Sequence, residues 1–239
     1  MIYHCLFEQS GTFKNVLKSY GHQAFDYDIL NDFGETDFQI DLFKEIENEY
    51  LNLTENKGIK TIFSSMEKGK DFIIAFFPCT HFSGLNQFQY KLLIAGKKQP
   101  LNEKSVKRLI KRNQERAEFF EIYLKFLFIC KTIGISTIIE NPASGSGNFS
   151  YLELFSPIDV SYKEENRKKW GDRYRKPTIF FAINFDMKEE FQMFTPVFSL
   201  TSVLKTKKGV TPRSMIEKQY ADNFYKRFLE VQDEKENKT

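Results

Sequence analysis

Residues 71–83, DFIIAFFPCTHFS, predict a buried strand that delivers a cysteine to the edge of a sheet. A continuous apolar run that ends at a breaker is typical of a strand covered on both faces, as in a parallel sheet. Pro78 cannot donate a hydrogen bond to a neighbouring strand, so we expect the strand to stop there. Cys79 would then lie at the carboxyl edge, where open α/β sheets bind ligands. A thiol at that edge is a candidate nucleophile, although free cysteines are more often buried and inert.

The length and composition predict a folded protein with one sizeable domain, or at most two small ones. Of the 239 residues, 41% are hydrophobic and 28% are charged, as in ordinary soluble globular proteins. The 26 phenylalanines indicate a core filled by aromatic packing. No apolar run reaches the length of a membrane span, and the N-terminus, MIYHCLFEQS, lacks the regions of a signal peptide. We therefore expect a soluble, cytoplasmic protein that has no membrane partner.

The three cysteines do not indicate a disulfide or zinc protein, and the net charge of +3 is weak evidence for a polyanion partner. The cysteines lack the spacing of a disulfide framework or a zinc site, and Cys5 and Cys130 lie in apolar segments where they are expected to be core residues. Basic clusters occur at residues 97–98, 104–116, 167–176 and 205–208. Each cluster alone is more often a solvated face than a binding site.

Strands and helices alternate along the chain. The predicted strands are residues 2–7, 24–29, 71–77, 136–139, 158–162, 179–183 and 191–197. The predicted helices are residues 13–20, 42–53, 102–132, 148–155 and 213–231. This alternation predicts an α/β fold with a mostly parallel central sheet, right-handed crossovers and helices on both faces.

The first strand, turn and helix form a pattern typical of nucleotide sites. The backbone N–H groups of the turn at residues 8–12 would face a ligand, and Asp26, near the end of the second strand, could hold ribose hydroxyls. Gly11 is the only glycine of the turn, so the pattern alone is weak. Alternatively, Phe7 is a core residue, and Asp26 and Asp41 only cap helices.

Two later segments carry polar groups to the same edge. Glu140 follows a predicted strand, where apolar surroundings could raise its pKa and make it an acid, or where it could simply cap a helix. Arg173 and Arg175 are two residues apart, so on an extended chain they point to one side. Their guanidinium groups suit a base edge or a phosphate, or they belong to a basic surface loop.

These motifs, in this order, resemble those of DNA cytosine-5 methyltransferases. Phe-Pro-Cys-x-x-Phe-Ser at residues 77–83 resembles the catalytic loop of that family. Residues 7–13 resemble its Phe-x-Gly-x-Gly-x-Phe motif, with Gln9 in place of the first glycine. Residues 140–142 resemble its Glu-Asn-Val motif, with the proline of phage-type members, and residues 173–175 resemble its Gln-x-Arg-x-Arg motif without the glutamine.

The resemblance implies a Rossmann-like, S-adenosylmethionine-dependent methyltransferase fold over residues 1–239. It assigns catalysis to Cys79, Glu140, Arg173 and Arg175. It assigns cofactor binding to Phe7, Gln9, Ser10, Gly11, Thr12, Phe13, Asp26, Tyr27, Asp41, Leu42, Phe77 and Pro78. In this family the cysteine attacks a cytosine flipped out of DNA, S-adenosylmethionine supplies the methyl group, and no metal is needed.

The chain departs from the family in one region. Only residues 185–212 are available for target recognition, which is too short for a full recognition domain. Either specificity is low, a partner protein supplies it, or the substrate is not ordinary duplex DNA. The alternatives are therefore a related protein that acts on a nucleotide, RNA or modified DNA, and a non-catalytic DNA-binding relic.

Overall fold

The computed structural model describes residues 1–83, 90, 93–94, 97–98, 100–143, 150–187 and 216–230. The strands of this part of the chain are β1 (Ile2–Leu6), β2 (Gln23–Asp28), β3 (Phe38–Gln39), β4 (Asp71–Phe76), β5 (Leu93–Ile94), β6 (Lys97–Lys98), β7 (Ser136–Pro142), β8 (Tyr162–Glu164) and β9 (Thr178–Ile183). The helices are α1 (Thr12–Ser19), α2 (Leu42–Glu55), α3 (Glu103–Ile133), α4 (Tyr151–Phe155) and α5 (Lys218–Phe228).

Seven of the strands form one mixed sheet in the order β3-β2-β1-β4-β7-β9-β8. The five strands from β3 to β7 in this order are parallel, whereas β9 runs antiparallel to both β7 and β8. Strands β5 and β6 form a separate antiparallel pair. The prediction of an α/β fold with a mostly parallel sheet is confirmed, and the architecture is compatible with a Rossmann-like fold.

The sheet is covered on both faces by apolar side chains. One layer includes Ile46 of α2 and Phe126 of α3, and the other includes Leu17 of α1 and Phe224 of α5. Burial of these side chains supplies the driving force for folding. Cys5 and Cys130 are buried, as predicted. No helix within the described residues has the length and apolar character needed to cross a membrane.

The structure corrects two boundaries. Strand β7 extends through Pro142, so Glu140 lies inside a strand and not after it, because β9 pairs alongside as far as Thr178. The strand expected at residues 158–162 is found instead at β8. The predicted strand at residues 191–197, the basic cluster at 205–208 and all but the start of the short recognition region lie outside the described residues.

Candidate active site

Cys79, the predicted nucleophile, and Glu140, the predicted acid, lie at the same edge of the sheet. Cys79 comes three residues after the end of β4, and Glu140 pairs in register with Phe76, the last residue of β4. The turn that begins at Phe7 follows β1, which is the neighbour of β4 on its other side. Carboxyl ends of parallel strands meet at one edge, so the chain brings these three elements together.

Cys79 is half-buried in a loop that turns back on itself. Its carbonyl oxygen accepts hydrogen bonds from the N–H groups of Phe82 and Ser83, each at 3.0 Å. Burial raises the pKa of the Cys79 thiol, the cation of Lys176 opposes this change, and the carboxylate of Glu140 adds to it. At neutral pH the resting group is therefore the thiol, with a cation close enough to stabilise the thiolate.

A side-chain amide ties the cysteine loop to β7. Asn141 Nδ2 donates a hydrogen bond of 2.9 Å to the carbonyl of Phe77, while Asn141 Oδ1 is buried and finds no hydrogen-bond partner in the described part of the chain. Phe77 is fully buried, and its ring centre lies 5.3 Å from that of Phe7. Pro78, next to the cysteine, is half-buried. The tie to β7 fixes the loop backbone directly before the candidate nucleophile.

Glu140 faces two cations that the sequence analysis did not assign. Its side chain is almost completely buried, and its Oε1 lies 3.4 Å from Arg167 Nη1 and 3.6 Å from Lys176 Nζ. The guanidinium of Arg167, 0% exposed, also lies 2.7 Å from Asp172 Oδ2 through Nη2 and 4.1 Å from the ring centre of Tyr220. The buried carboxylate is therefore held in a network of charges.

Little in the sequence points to these two residues. Lys176 lies just before β9, and the antiparallel direction of β9 returns that segment to the carboxyl edge of β7. An apolar run such as that of β9 carries no information on its direction. Arg167 is one basic residue within a basic run, and arginine is seldom fully buried unless it is paired.

The two predicted arginines occupy other places. Arg173 Nε lies 3.3 Å from Glu217 Oε1, just ahead of α5, and Arg175 is exposed. The cations whose contacts with Glu140 the structure gives are thus Arg167 and Lys176.

Phe7 has an unusual backbone conformation at the end of β1. Its φ is +60°, which is strained for an aromatic residue. Its N–H donates to the carbonyl of Tyr27 at 2.8 Å, and its half-buried ring lies against the rings of Phe43 and Phe77. This conformation holds an aromatic ring at the edge of the sheet, and such strain is often found at functional sites.

Two carboxylates lie on elements that contact Phe7 or its neighbours. Asp28, the last residue of β2, was not predicted as a site residue; it is half-buried, its Oδ1 accepts the N–H of Leu30 at 2.8 Å, and burial raises its pKa. Its carbonyl accepts the N–H of Ile40 at 3.0 Å, which brings Asp41 close by. Asp41 is exposed and caps α2 by accepting the N–H groups of Phe43 and the next residue. Phe7, Asp28 and Asp41 are thus joined by a continuous set of contacts.

Asp26 is enclosed by protein. It is 0% exposed, its Oδ1 lies 3.0 Å from Lys14 Nζ and accepts the N–H of Asp37 at 2.7 Å, and its Oδ2 has no hydrogen-bond partner among the described residues. Burial raises the pKa of Asp26, and the hydrogen bonds from Asp37 and Lys14 oppose that change. In this geometry no part of the Asp26 side chain is exposed to a ribose.

The glycine turn is covered by the segment that precedes β3. Gly11 has a φ of +64°, and a Cβ there would lie 3.1 Å from Glu35 Cβ. Gln9 Oε1 accepts the N–H of Asp32 at 3.4 Å. The space next to Gly11 is therefore filled by protein, and a ligand would have to bind on the side of Phe7.

Glu8 occupies the N-terminus of α1. It is 4% exposed, Oε1 accepts the N–H of Phe13 at 2.8 Å and the hydroxyl of Ser10 at 3.2 Å, and Oε2 accepts the N–H of Lys14 at 3.4 Å. The Ser10 hydroxyl also bonds with that of Thr12 at 2.9 Å. Burial raises the pKa of Glu8 to about 7. Because Glu8 uses these donors, the turn favours a neutral or cationic part of a ligand over an anionic one.

Three other predicted cofactor residues face the protein interior. Phe13 packs between Phe76 and the α5 layer, and Leu42 is a core residue. Tyr27 is buried, and its hydroxyl forms a 2.9 Å hydrogen bond with His4 Nδ1. These side chains can support the wall of a pocket, but they are too buried to contact a ligand directly.

No protein-family model matches the chain, and no curated protein matches it. The functional interpretation therefore depends on the geometry of the site. That geometry combines a half-buried thiol, a buried carboxylate with two cations, and an aromatic ring with two carboxylates on the elements next to it.

Proposed function

We propose that the chain is an S-adenosylmethionine-dependent methyltransferase that modifies C5 of cytosine in DNA through a covalent adduct with Cys79. The observation that carries the proposal is the placement of Cys79 and Glu140 at the ends of neighbouring parallel strands, where the charge of Glu140 affects the thiol. A nucleophile beside a hydrogen-bonding carboxylate is what attack on a pyrimidine ring requires.

The thiol of Cys79 would lose its proton to solvent, and the thiolate would add to C6 of the ring. A C6–S bond would form as the C5=C6 double bond breaks, and its electrons would make C5 nucleophilic. C5 would then gain the methyl group with S-adenosylhomocysteine as the leaving group, and loss of the C5 proton to solvent would restore the double bond and expel the thiolate. Lys176 is the residue that favours the reactive form, because its positive charge lowers the pKa of Cys79 against the effect of burial.

Glu140 would hold the edge of the base that carries N3 and the amino group. Its carboxylate is kept in place by Arg167, which is itself fixed between Asp172 and the ring of Tyr220. A rigidly held group stabilises charge on the ring without having to reorganise during the reaction. Arg167 is a positioning residue in this scheme, because it acts through Glu140.

The residues beside Phe7 suit the adenosine part of the cofactor. The half-buried ring of Phe7 offers a stacking surface, and the carboxylates of Asp28 and Asp41 can accept hydrogen bonds from hydroxyl and amino groups. The buried Asp26 does not fit this role. When bound, S-adenosylmethionine would supply an electrophilic methyl group. The turn at Glu8 suits the cationic end of such a molecule better than its carboxylate.

Trapping on DNA that contains 5-fluorocytosine tests the proposal. Fluorine replaces the C5 proton whose loss releases the enzyme, so the adduct should persist when cofactor is present. We expect a stable adduct with the parent and with Thr80→Ala, an exposed neighbour, but none with Cys79→Ser. Equal adduct from the parent and Cys79→Ser would remove Cys79 from the mechanism.

Methyl transfer from labelled cofactor separates the alternatives. The parent should label duplex DNA, and digestion should yield 5-methylcytosine. Labelling only of RNA, single-stranded DNA or a cytidine nucleotide would replace duplex DNA with another pyrimidine substrate. Binding of DNA without transfer to any of these substrates would indicate a non-catalytic protein.

A further inference from the structure

Helix α3 is much longer than the sheet that it covers. It has 31 residues, or roughly 46 Å at 1.5 Å per residue, whereas β7 has seven residues and spans roughly 23 Å. The helix ends at Gly134, two residues before β7 begins. Its C-terminal end therefore lies at the amino edge of the sheet, and its N-terminal half extends past the carboxyl edge where Cys79 lies.

The side chains of the two halves of α3 differ in burial. The buried side chains of the C-terminal half run from Ile122 to Cys130. We name the segment between Glu103 and Glu118 the overhang; its only buried residue is Ser105, which belongs to the N-terminal cap. The overhang is thus a helix whose side chains have little to pack against among the described residues.

The side of the overhang that continues the sheet-facing stripe has an excess of positive charge, and we name it the basic face. It carries Lys104, Lys107, Arg108 and Lys111 against Glu115 and Glu118. Lys107 Nζ lies 2.7 Å from Glu103 Oε1 and Lys111 Nζ lies 3.9 Å from Glu115 Oε1, but both lysines are exposed, so these ion pairs are weak and can be exchanged for phosphate contacts. Lys104 and Lys111 lie eighteen and eleven residues before Ile122, or about five and three helical turns, so all three share one face. Lys107 lies one turn from each of these lysines. The overhang as a whole has six basic residues, Lys104, Lys107, Arg108, Lys111, Arg112 and Arg116, against three acidic residues, Glu103, Glu115 and Glu118.

The base of the overhang lies close to the cysteine loop. His81, two residues after Cys79, lies within range of four charges of the overhang, those of Glu115, Arg112, Arg116 and Glu118. The guanidinium of Arg116 lies 4.0 Å from the ring centre of Tyr90 and 4.5 Å from that of Tyr151, on α4. A polyanion that followed the basic face would thus arrive at the candidate active site.

The apolar residues of the overhang lie on the opposite side. Val106, Leu109 and Ile110 line an open groove of about 480 Å³, and they lie roughly half a turn from Lys104 and Lys111 on a helix of 3.6 residues per turn. An amphipathic protein partner would need apolar groups, which the basic face lacks. A second copy of the chain would bring like charges together. The basic face therefore favours a polyanion with charges at regular spacing.

We propose that the basic face of the overhang binds the phosphate backbone of nucleic acid and guides it across the edge of the sheet to Cys79. The inference rests on the proposed DNA substrate and adds the surface that binds it. Phosphate contacts of this kind fix the position of a duplex but do not read its sequence. The overhang would thus supply affinity without supplying base specificity.

The test compares two triple variants by titration of a fluorescent 30-base-pair duplex over a range of salt concentrations. Lys104→Ala/Lys107→Ala/Lys111→Ala removes three exposed charges of the overhang, and none of these side chains is buried. The control removes three exposed lysines of the amino edge, Lys68, Lys70 and Lys131. The two variants therefore have the same net charge.

We expect the overhang variant to bind at least ten-fold more weakly than the parent at low salt. The slope of log affinity against log salt should fall by about one unit for each lysine–phosphate pair that the variant removes, or about three units in all. The control should keep both the affinity and the slope of the parent. Unchanged binding by the overhang variant, or an equal weakening in the control, would overturn the inference.

Methyl transfer distinguishes the two proposals. If the parent methylates DNA but the overhang variant keeps the salt slope of the parent, this inference fails and the proposed function stands. If the overhang variant loses binding but the parent methylates nothing, the interface stands and the proposed function fails. If Val106→Ser/Ile110→Ser weakens binding as much as the lysine variant does, the basic face is not the binding surface.

Discussion

Replacement of Arg167 by methionine should destabilise the protein strongly. The substitution keeps most of the side-chain volume but leaves the carboxylates of Glu140 and Asp172, which are 6% and 5% exposed, without the cation that lies 3.4 Å and 2.7 Å away. Removal of one partner from a buried ion pair costs about 3–5 kcal/mol. In a chain of this length such a cost lowers the melting temperature by roughly 10 °C.

Urea unfolding at pH 8, followed by circular dichroism, measures this destabilisation. Adding Asp172→Asn to Arg167→Met should restore part of the stability, since one of the two uncompensated charges is then gone. Lys169→Met, at an exposed position two residues later, serves as the control. A destabilisation below 1 kcal/mol in Arg167→Met, equal to that of the control, would refute the argument that Arg167 compensates these charges.

Two other substitutions test the electrostatics of the site. Lys176→Met should raise the pKa of the Cys79 thiol further and slow its alkylation by iodoacetamide at pH 7.5 about five-fold, which is the effect of roughly 1 kcal/mol for one nearby, partly solvated charge. Mass spectrometry of the Cys79 peptide measures the alkylation rate. A rate equal to that of Lys169→Met would contradict the role of Lys176. Glu8→Gln should flatten the dependence of stability on pH. The pKa of Glu8 in the folded protein is raised from 4.5 to about 7, so its contribution to the free energy of unfolding is complete below pH 4.5 and is lost as the pH rises through 7, by up to roughly 3 kcal/mol. Unfolding curves at pH 5, 6 and 8 should show that the stability of Glu8→Gln increases relative to that of the parent as the pH rises. A constant difference in stability across these pH values would contradict the assignment.

The elements that depend on local pattern could be predicted from the sequence. Apolar runs identified β1, β4 and β9, and the apolar stripe over residues 102–132 identified α3. The placement of Cys79 at the sheet edge followed from the length of one run and the proline after it. Such features need only the neighbouring residues, so a single sequence contains them.

Features that depend on distant partners could not be predicted. The extent of β2 was predicted to within one residue at each end, but the sequence does not show that Lys14 of α1 closes over the carboxylate of Asp26 while that of Asp28 stays partly exposed. The pairing of Arg167 joins residues 27 positions before it and 53 after it. A run of basic residues does not show which of them will be buried against two carboxylates and an aromatic ring, as Arg167 is. The sequence analysis therefore missed Arg167 and Lys176 as the cations beside Glu140, and its assignment of Arg173 and Arg175 to catalysis stays a prediction.

The last described helix has a consequence for the order of folding. Tyr220 of α5 covers the guanidinium of Arg167, and Arg227 of the same helix stacks on Trp170 at 3.6 Å. During translation, Cys79 and Glu140 leave the ribosome well before this helix, since proteins are made from the N-terminus at a few residues per second. The nascent chain therefore contains Cys79 and Glu140 before the contacts of Arg167 are complete. Tyr220 covers the guanidinium beside Glu140 only after α5 has been synthesised and has packed against the sheet.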